Sequence, residues 1–208
     1  MIPMNGPALP TLRVLVLAAG FSRRLGRPKA LARVHGVSLI RRLILLLAPF
    51  ASLPVLVVPP RSARYKAELR GIDIEFAVNP RRADGMSSSV RQGIAQVRCA
   101  AAVLVLPVDL VGLRRRDIAR LVHRWRGARR RVAVSRFGTH LGAPLVLPRW
   151  LFTPALRIEG DVGLRELVRH LPAEHLMCVS MRSVQRDIDT GLDLRSARRR
   201  FTLSDLNL

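Results

Sequence analysis

The stretch Val14-Leu15-Val16-Leu17-Ala18-Ala19-Gly20-Phe21-Ser22-Arg23-Arg24-Leu25-Gly26-Arg27-Pro28-Lys29 decides the fold of this chain. Its first four residues are a short, continuous apolar run bounded by a small-residue turn, the pattern of a strand buried in a parallel sheet. Gly20 and Gly26 are expected to allow backbone conformations and close approaches that a side chain blocks. Ser22, Arg23, Arg24 and Lys29 set a hydroxyl and positive charge around that bare backbone, which suits a loop that holds polyphosphate. The loop is neither a G-x-x-x-x-G-K-[ST] P-loop nor a G-x-G-x-x-G dinucleotide turn.

Outward from this loop, strand-like and helix-like segments alternate. Strands are predicted over 13–17, 54–58, 73–78, 102–107, 132–135, 143–147 and 175–181. Helices are predicted over 38–48, 62–70, 87–97, 114–126, 149–156 and 162–170, with Ser38 as the N-cap of the first. Such alternation predicts an α/β fold: a single Rossmann-like, three-layer domain with a mostly parallel sheet. The domain is expected over 12–208, after a flexible tail over 1–11 that holds Pro3, Gly6 and Pro10. In sheets of this kind ligands gather at the carboxyl ends of the strands.

Composition narrows the function. Of 208 residues 49% are hydrophobic, too many for general disorder. Residues 39–50 are apolar but too short for a membrane span, so no membrane partner is expected. Cys99 and Cys178 lie far apart without a CxxC pattern, which indicates neither zinc nor a disulfide framework and makes a reducing cytoplasm the default. The net charge is +22, and Lys29 and Lys66 are the only lysines. Arginines are spread along the chain with few aromatics between them, which argues against a nucleic-acid binder and for solvated helix faces. A basic field still concentrates nucleotides and phosphorylated acceptors.

Further clusters stand beyond predicted strands. Asn79 is followed by Gly85-Met86-Ser87-Ser88-Ser89, a glycine and serines at a helix start, where backbone N–H groups meet the positive end of the dipole. Asp109 lies just past the strand ending at Pro107 and offers hard oxygen donors for Mg²⁺. Asp187 and Asp189 are two apart, so in an extended segment they face the same side. Gly142-Ala143-Pro144 and Gly160-Asp161-Val162-Gly163 are small-residue turns farther along.

Residues 17–29 fit L-A-A-G-x-S-x-R-x-G-x-x-K at every fixed position, with Leu25 where Met is usual. The chain therefore resembles the molybdenum cofactor cytidylyltransferase (MobA/MocA-like) nucleotidyltransferases, over residues 13–195. The resemblance implies the nucleotide-diphospho-sugar transferase type of fold. It implies nucleotide binding by Leu17, Ala18, Ala19, Gly20 and Ser22, and by Asn79, Gly85, Met86 and Ser89 of an N…G-M-x-x-S element. Arg23, Lys29 and Asp109 would be catalytic. Asp109, of a P-x-D-x-P motif whose last proline is Val111 here, and Asp189, of D-I-D-T-P-x-D-L with Gly191 for proline, would hold Mg²⁺. Asp193 would cap the helix that follows. Gly142 and Pro144, of G-H-P with Ala143 for histidine, and Gly160 and Asp161, of G-D-x-G-x-R, would border the acceptor.

The implied reaction moves a nucleotidyl group from a nucleoside triphosphate to a phosphorylated small molecule and releases pyrophosphate. Cytidylyl members carry L-A-A-G and guanylyl members L-A-G-G, so Ala19 favours CTP, with a molybdopterin-type cofactor as acceptor and a molybdoenzyme or its chaperone as a partner. Competing readings are transfer to a sugar phosphate, an accessory or oxidoreductase-type relative of the fold, and a nucleic-acid module driven by the charge. The missing dinucleotide fingerprint counts against the redox reading.

Overall fold

The structure is a computed structural model, and it describes residues 11–50, 53–185 and 187–201. The tail expected over 1–11 lies outside the described residues except for Thr11. In chain order the elements are β1 (Leu12–Leu17), β2 (Arg33–Val34), β3 (Val37–Ser38), α1 (Leu39–Leu47), β4 (Val55–Val58), α2 (Ala63–Glu68), β5 (Glu75–Val78) and α3 (Met86–Gln96). There follow β6 (Ala102–Pro107), α4 (Arg115–Gly127), β7 (Val132–Phe137), β8 (His140–Pro148), α5 (Phe152–Ala155), α6 (Leu164–Arg169), β9 (Leu176–Ser180) and α7 (Gly191–Arg200).

Seven strands form one sheet in the order β5-β4-β1-β6-β8-β7-β9. All pairings are parallel except those of β8, which runs against both β6 and β7. The expectation of a mostly parallel, helix-covered sheet holds. Side-chain alternation along each strand divides the core into two layers. Val14, Val16, Leu104 and Leu106 face α1, α4 and α7, whereas Leu15, Val103 and Val105 face α3, α5 and α6. Gly93 of α3 lies against β1 so closely that a Cβ there would come 2.4 Å from Leu15 Cδ1.

Three local expectations change. Residues 33–38 form a small hairpin, β2–β3, through a His35-Gly36 turn with positive φ at both residues. The helix expected over 149–156 is a 3₁₀ turn followed by the short α5. Pro154 lacks an N–H and is tolerated only in a first turn. Strand β8 begins at His140 rather than 143, because the turn at Gly138 pairs it with β7 at once. Ser38 caps α1 as expected, its Oγ accepting from the Arg41 N–H at 3.2 Å.

The topology positions the site. From β1 the chain builds outward through β4 to β5, then returns to place β6 on the other side of β1. That reversal opens a crevice beyond the carboxyl ends of β1 and β6, where Leu17 and Pro107 are register partners.

Candidate active site

The loop after β1 and the loop after β6 face each other across this crevice. Lys29 Nζ donates to Asp109 Oδ2 at 2.8 Å and to Asp189 Oδ1 at 2.7 Å. Arg24 completes the cluster with an ion pair to Asp189 Oδ2 at 2.7 Å. Burial pulls the Lys29 pKa down, but the charges and hydrogen bonds of Asp109 and Asp189 outweigh it and hold the ammonium above its ordinary value. Lys29 is thus a fixed cation between two carboxylates.

Backbone pairing brings the distant carboxylates together. Leu110 and Asp187 form an antiparallel bridge, and the Ile188 N–H donates to the Asp109 carbonyl at 3.2 Å. Burial, together with the charges of Asp109 and Asp189, pushes the Asp187 carboxyl up from the ordinary value, and Asp187 does not line the cavity of this crevice. The expectation that Asp193 caps α7 is corrected in detail. Thr190 is the N-cap, and Asp193 closes a capping box as the third helical residue. Its Oδ2 also accepts from the Asp189 N–H at 3.1 Å, so the box fixes the segment that carries Asp189.

The first loop is built differently from the expectation for its glycines. Its left-handed residues are Ser22, φ 54°, and Gly26, φ 69°, whereas Gly20 has open space around it. Ser22 Oγ accepts from the Lys29 N–H at 3.0 Å, which closes the loop and leaves the hydroxyl proton to donate. Gly85 shows the close approach instead. At φ 90° a Cβ there would sit 2.3 Å from the Gly160 carbonyl oxygen, so the loops before α3 and α6 touch only because Gly85 has no side chain.

A cavity of about 420 Å³ occupies the crevice. Leu17, Ala18, Ala19, Gly20, Ser22 and Arg23 line it from the first loop, and Gly85, Met86 and Ser89 from the start of α3. Lys29, Asp109, Asp161 and Asp189 line it as well. Asn79 lies behind it, 2% exposed, its amide donating to Ser88 Oγ at 2.9 Å and Ser89 Oγ at 3.0 Å. A second cavity of about 520 Å³ adjoins the first, sharing Leu17, Met86, Pro107 and Asp161. It is mainly apolar, with Gly142, Val90 and Leu145 in its wall and Arg165 and Glu166 at its border. Pro144 lines neither cavity, and Gly160 contributes its carbonyl, which accepts from the Ser87 N–H at 3.2 Å.

The donor set suits a hard divalent cation. The two carboxylates converge on Lys29, both oxygens of Asp189 pair with Lys29 and Arg24, and Asp109 Oδ1, with no hydrogen-bond partner among the described residues, is the oxygen left open to such a cation. No group of three or more His, Cys, Asp or Glu residues suited to a metal occurs among the described residues, so further ligands must come from phosphate or water.

The family model of the MobA-like NTP transferase domain matches residues 14–176, more than three quarters of the chain. The chain belongs to this family. The MobA-like domain is thus a member of a nucleotidyltransferase family, as the resemblance implied. No curated protein sequence matches it. The crystal structure of Rv0371c from Mycobacterium tuberculosis H37Rv superposes with a TM-score of 0.74 at 24% identity, over 91% of this chain and 99% of that one. A manganese complex of the same mycobacterial protein gives 0.70 at 20% identity, over 91% and 99%. Molybdopterin-guanine dinucleotide biosynthesis protein A from Archaeoglobus fulgidus gives 0.69 at 18%, over 90% and 97%. These likenesses establish the shared fold.

Within the MobA-like site, the arginine at the fixed R of the signature is Arg24, and it is Arg24 that meets Asp189. Arg23 lines the cavity and lies over the Phe21 ring, 5.2 Å from its centroid. Counting the signature's spacing to its R separates the two arginines from sequence alone. Arg82 had no such signal. It reaches the first loop from 63 residues away, donating to the Ala19 carbonyl at 3.4 Å and lying 4.0 Å from the Phe21 centroid. No helix among the described residues is long and apolar enough to cross a membrane.

Proposed function

We propose that this chain transfers the cytidylyl group of CTP, with Mg²⁺, to the phosphate of a molybdopterin-type acceptor and releases pyrophosphate. The observation that carries this reading is the convergence of Lys29, Asp109 and Asp189 at the carboxyl ends of β1 and β6, beside the glycine loop. Asp109 and Asp189 would hold the Mg²⁺, which when bound would supply charge neutralisation at the α-phosphate.

The chain's own residues supply the rest. An oxygen of the acceptor phosphate forms a bond to the α-phosphorus while the bond to the bridging oxygen of the β-phosphate breaks, and its electron pair leaves with pyrophosphate. A phosphate monoester loses its second proton near pH 6, so no strong general base is required. Catalysis then rests on alignment and on fixed positive charge where negative charge accumulates. Lys29, Arg23 and Arg24 provide that charge, and the Ser22 hydroxyl and the N–H groups of the loop provide donors. The preference for CTP rests on Ala19 of the L-A-A-G run, which lines the cavity. The adjoining apolar cavity, with Asp161 shared between both compartments, supports an acceptor with a substantial apolar or flat body.

The test is pyrophosphate release from each of four nucleoside triphosphates with Mg²⁺, with molybdenum cofactor or sugar phosphates as acceptor. CTP with the molybdenum cofactor is expected to turn over fastest. Faster turnover with a sugar phosphate reassigns the acceptor, and failure to consume any triphosphate sinks the transferase reading.

A further inference from the structure

On the outer side of the first loop lies another cavity, of about 650 Å³, whose wall is drawn from three separate stretches of chain. Arg23 and Arg27 enter it from the loop, Arg61 and Arg64 from the segment running into α2, and Arg82 from the segment before α3. No carboxylate among the described residues lines it. Elsewhere Arg13, Arg24, Arg33, Arg120 and Arg169 pair with acidic partners, but none of the five arginines in this cavity does so among the described residues. Five guanidinium groups around one concavity repel one another unless an anion sits between them.

Tyr65 gives a second, independent sign of a ligand. Its side chain lines the same cavity, the residue is 3% exposed, and its hydroxyl has no hydrogen-bond partner among the described residues. The ring packs into the core, while the hydroxyl lies within reach of the Arg64 and Arg82 charges at the edge of the cavity, where it is available to donate.

We propose that this cavity is a binding site for inorganic pyrophosphate, the leaving group of the transfer reaction. The inference rests on the nucleotidyl-transfer reading. The cavity is continuous with the nucleotide cavity, for Gly20, Phe21, Ser22, Arg23 and Arg82 line both. Once the bond to the α-phosphorus is broken, the free product can move past the Phe21–Arg82 contact into the arginine cluster. There planar guanidinium forks match phosphate oxygens two at a time, and Tyr65 donates a further hydrogen bond. A nucleic-acid strand is the poorer occupant. Phe21 is the exposed ring in the wall, and Arg82 and Arg23 already lie against it, so a single ring that arginines compete for is a poor stacking platform for successive bases.

The experiment is calorimetric titration of the full chain, metal-free, with inorganic pyrophosphate. Arg61 and Arg64 are exposed and unpaired, so folding is not at stake in the R61A/R64A double variant, and thermal unfolding verifies it. Pyrophosphate affinity is expected to fall about tenfold or more in R61A/R64A, and several-fold in Y65F. The R129A/R130A variant removes the same charge at a remote turn and is expected to bind as the wild type does. Equal losses in the two double variants, or wild-type binding of sulfate as tight as that of pyrophosphate, attribute the effect to the general field and overturn the site. Pyrophosphate binding needs no turnover. Intact binding without consumption of any triphosphate therefore counts against the transferase reading alone, and turnover without this binding counts against the site alone.

Discussion

Lys29 carries most of the site's local electrostatics. Among the described residues its ammonium alone touches both Asp109 and Asp189, with only 13% of its side chain exposed. Lys29→Ala removes that bridge and leaves two carboxylates facing each other. Turnover is expected to fall about a hundredfold or more, with a cooperative unfolding transition retained. Arg23→Ala is expected to lower turnover less steeply, because Arg23 has no carboxylate partner among the described residues. Steady-state pyrophosphate release and thermal unfolding check both variants, and wild-type rates in the two together remove the phosphate-loop assignment. The raised pKa also predicts a pH profile. The contribution of the Lys29 ion pairs is fully present below its ordinary value of 10.5 and is lost only as pH rises through its higher folded value. Between pH 5 and 8 the rate should therefore follow ionisation of the acceptor phosphate, near pH 6.

Two contacts set the geometry of whole elements. Helix α3 presents Ser89 and Met86 to the cavity, and its seating depends on Gly93. Gly93→Ala puts a methyl into the fully buried Leu15 and should cost about 1–3 kcal/mol, seen as a lower unfolding midpoint in calorimetry. At the start of α7, hydrogen bonds from Thr190 lower the Asp193 pKa. A carboxylate with a depressed folded pKa contributes stability above its ordinary value, 3.8, that is lost as pH falls through the folded value. Asp193→Asn should accordingly lower the unfolding midpoint at neutral pH, with the difference shrinking in acid. An undiminished gap below pH 3 contradicts this account. These elements also mark what the sequence made legible. Strands β1 and β6 and the loops after them were readable because a buried apolar run and a breaker are local signals. The direction of β8 and the bridge between Leu110 and Asp187 were not, since both depend on partners distant in the chain.

Across the whole molecule, 36 basic residues against 14 acidic ones produce a field that no single contact represents. Such a field raises the rate of encounter with anions more than it strengthens the final complex. Association of a fluorescent nucleoside triphosphate, followed by stopped flow, should slow several-fold as ionic strength rises from low salt to about 0.15 M, with dissociation little changed. A salt effect confined to dissociation contradicts the steering argument. The field itself was legible from composition, but its focusing was not. Arg61, Arg64 and Arg82 gather beside Arg23 only because β4, β5 and β1 are neighbours in the sheet.

The two carboxylates that Lys29 joins stand 80 and 160 positions beyond it along the chain. The pairings of β1 with β4 and β6 use chain that all precedes the last carboxylate of the cluster. Competence to handle a nucleotide thus waits until the segment before α7 has docked on the loop after β6, so a chain folded only through its central strands is spared from consuming triphosphate.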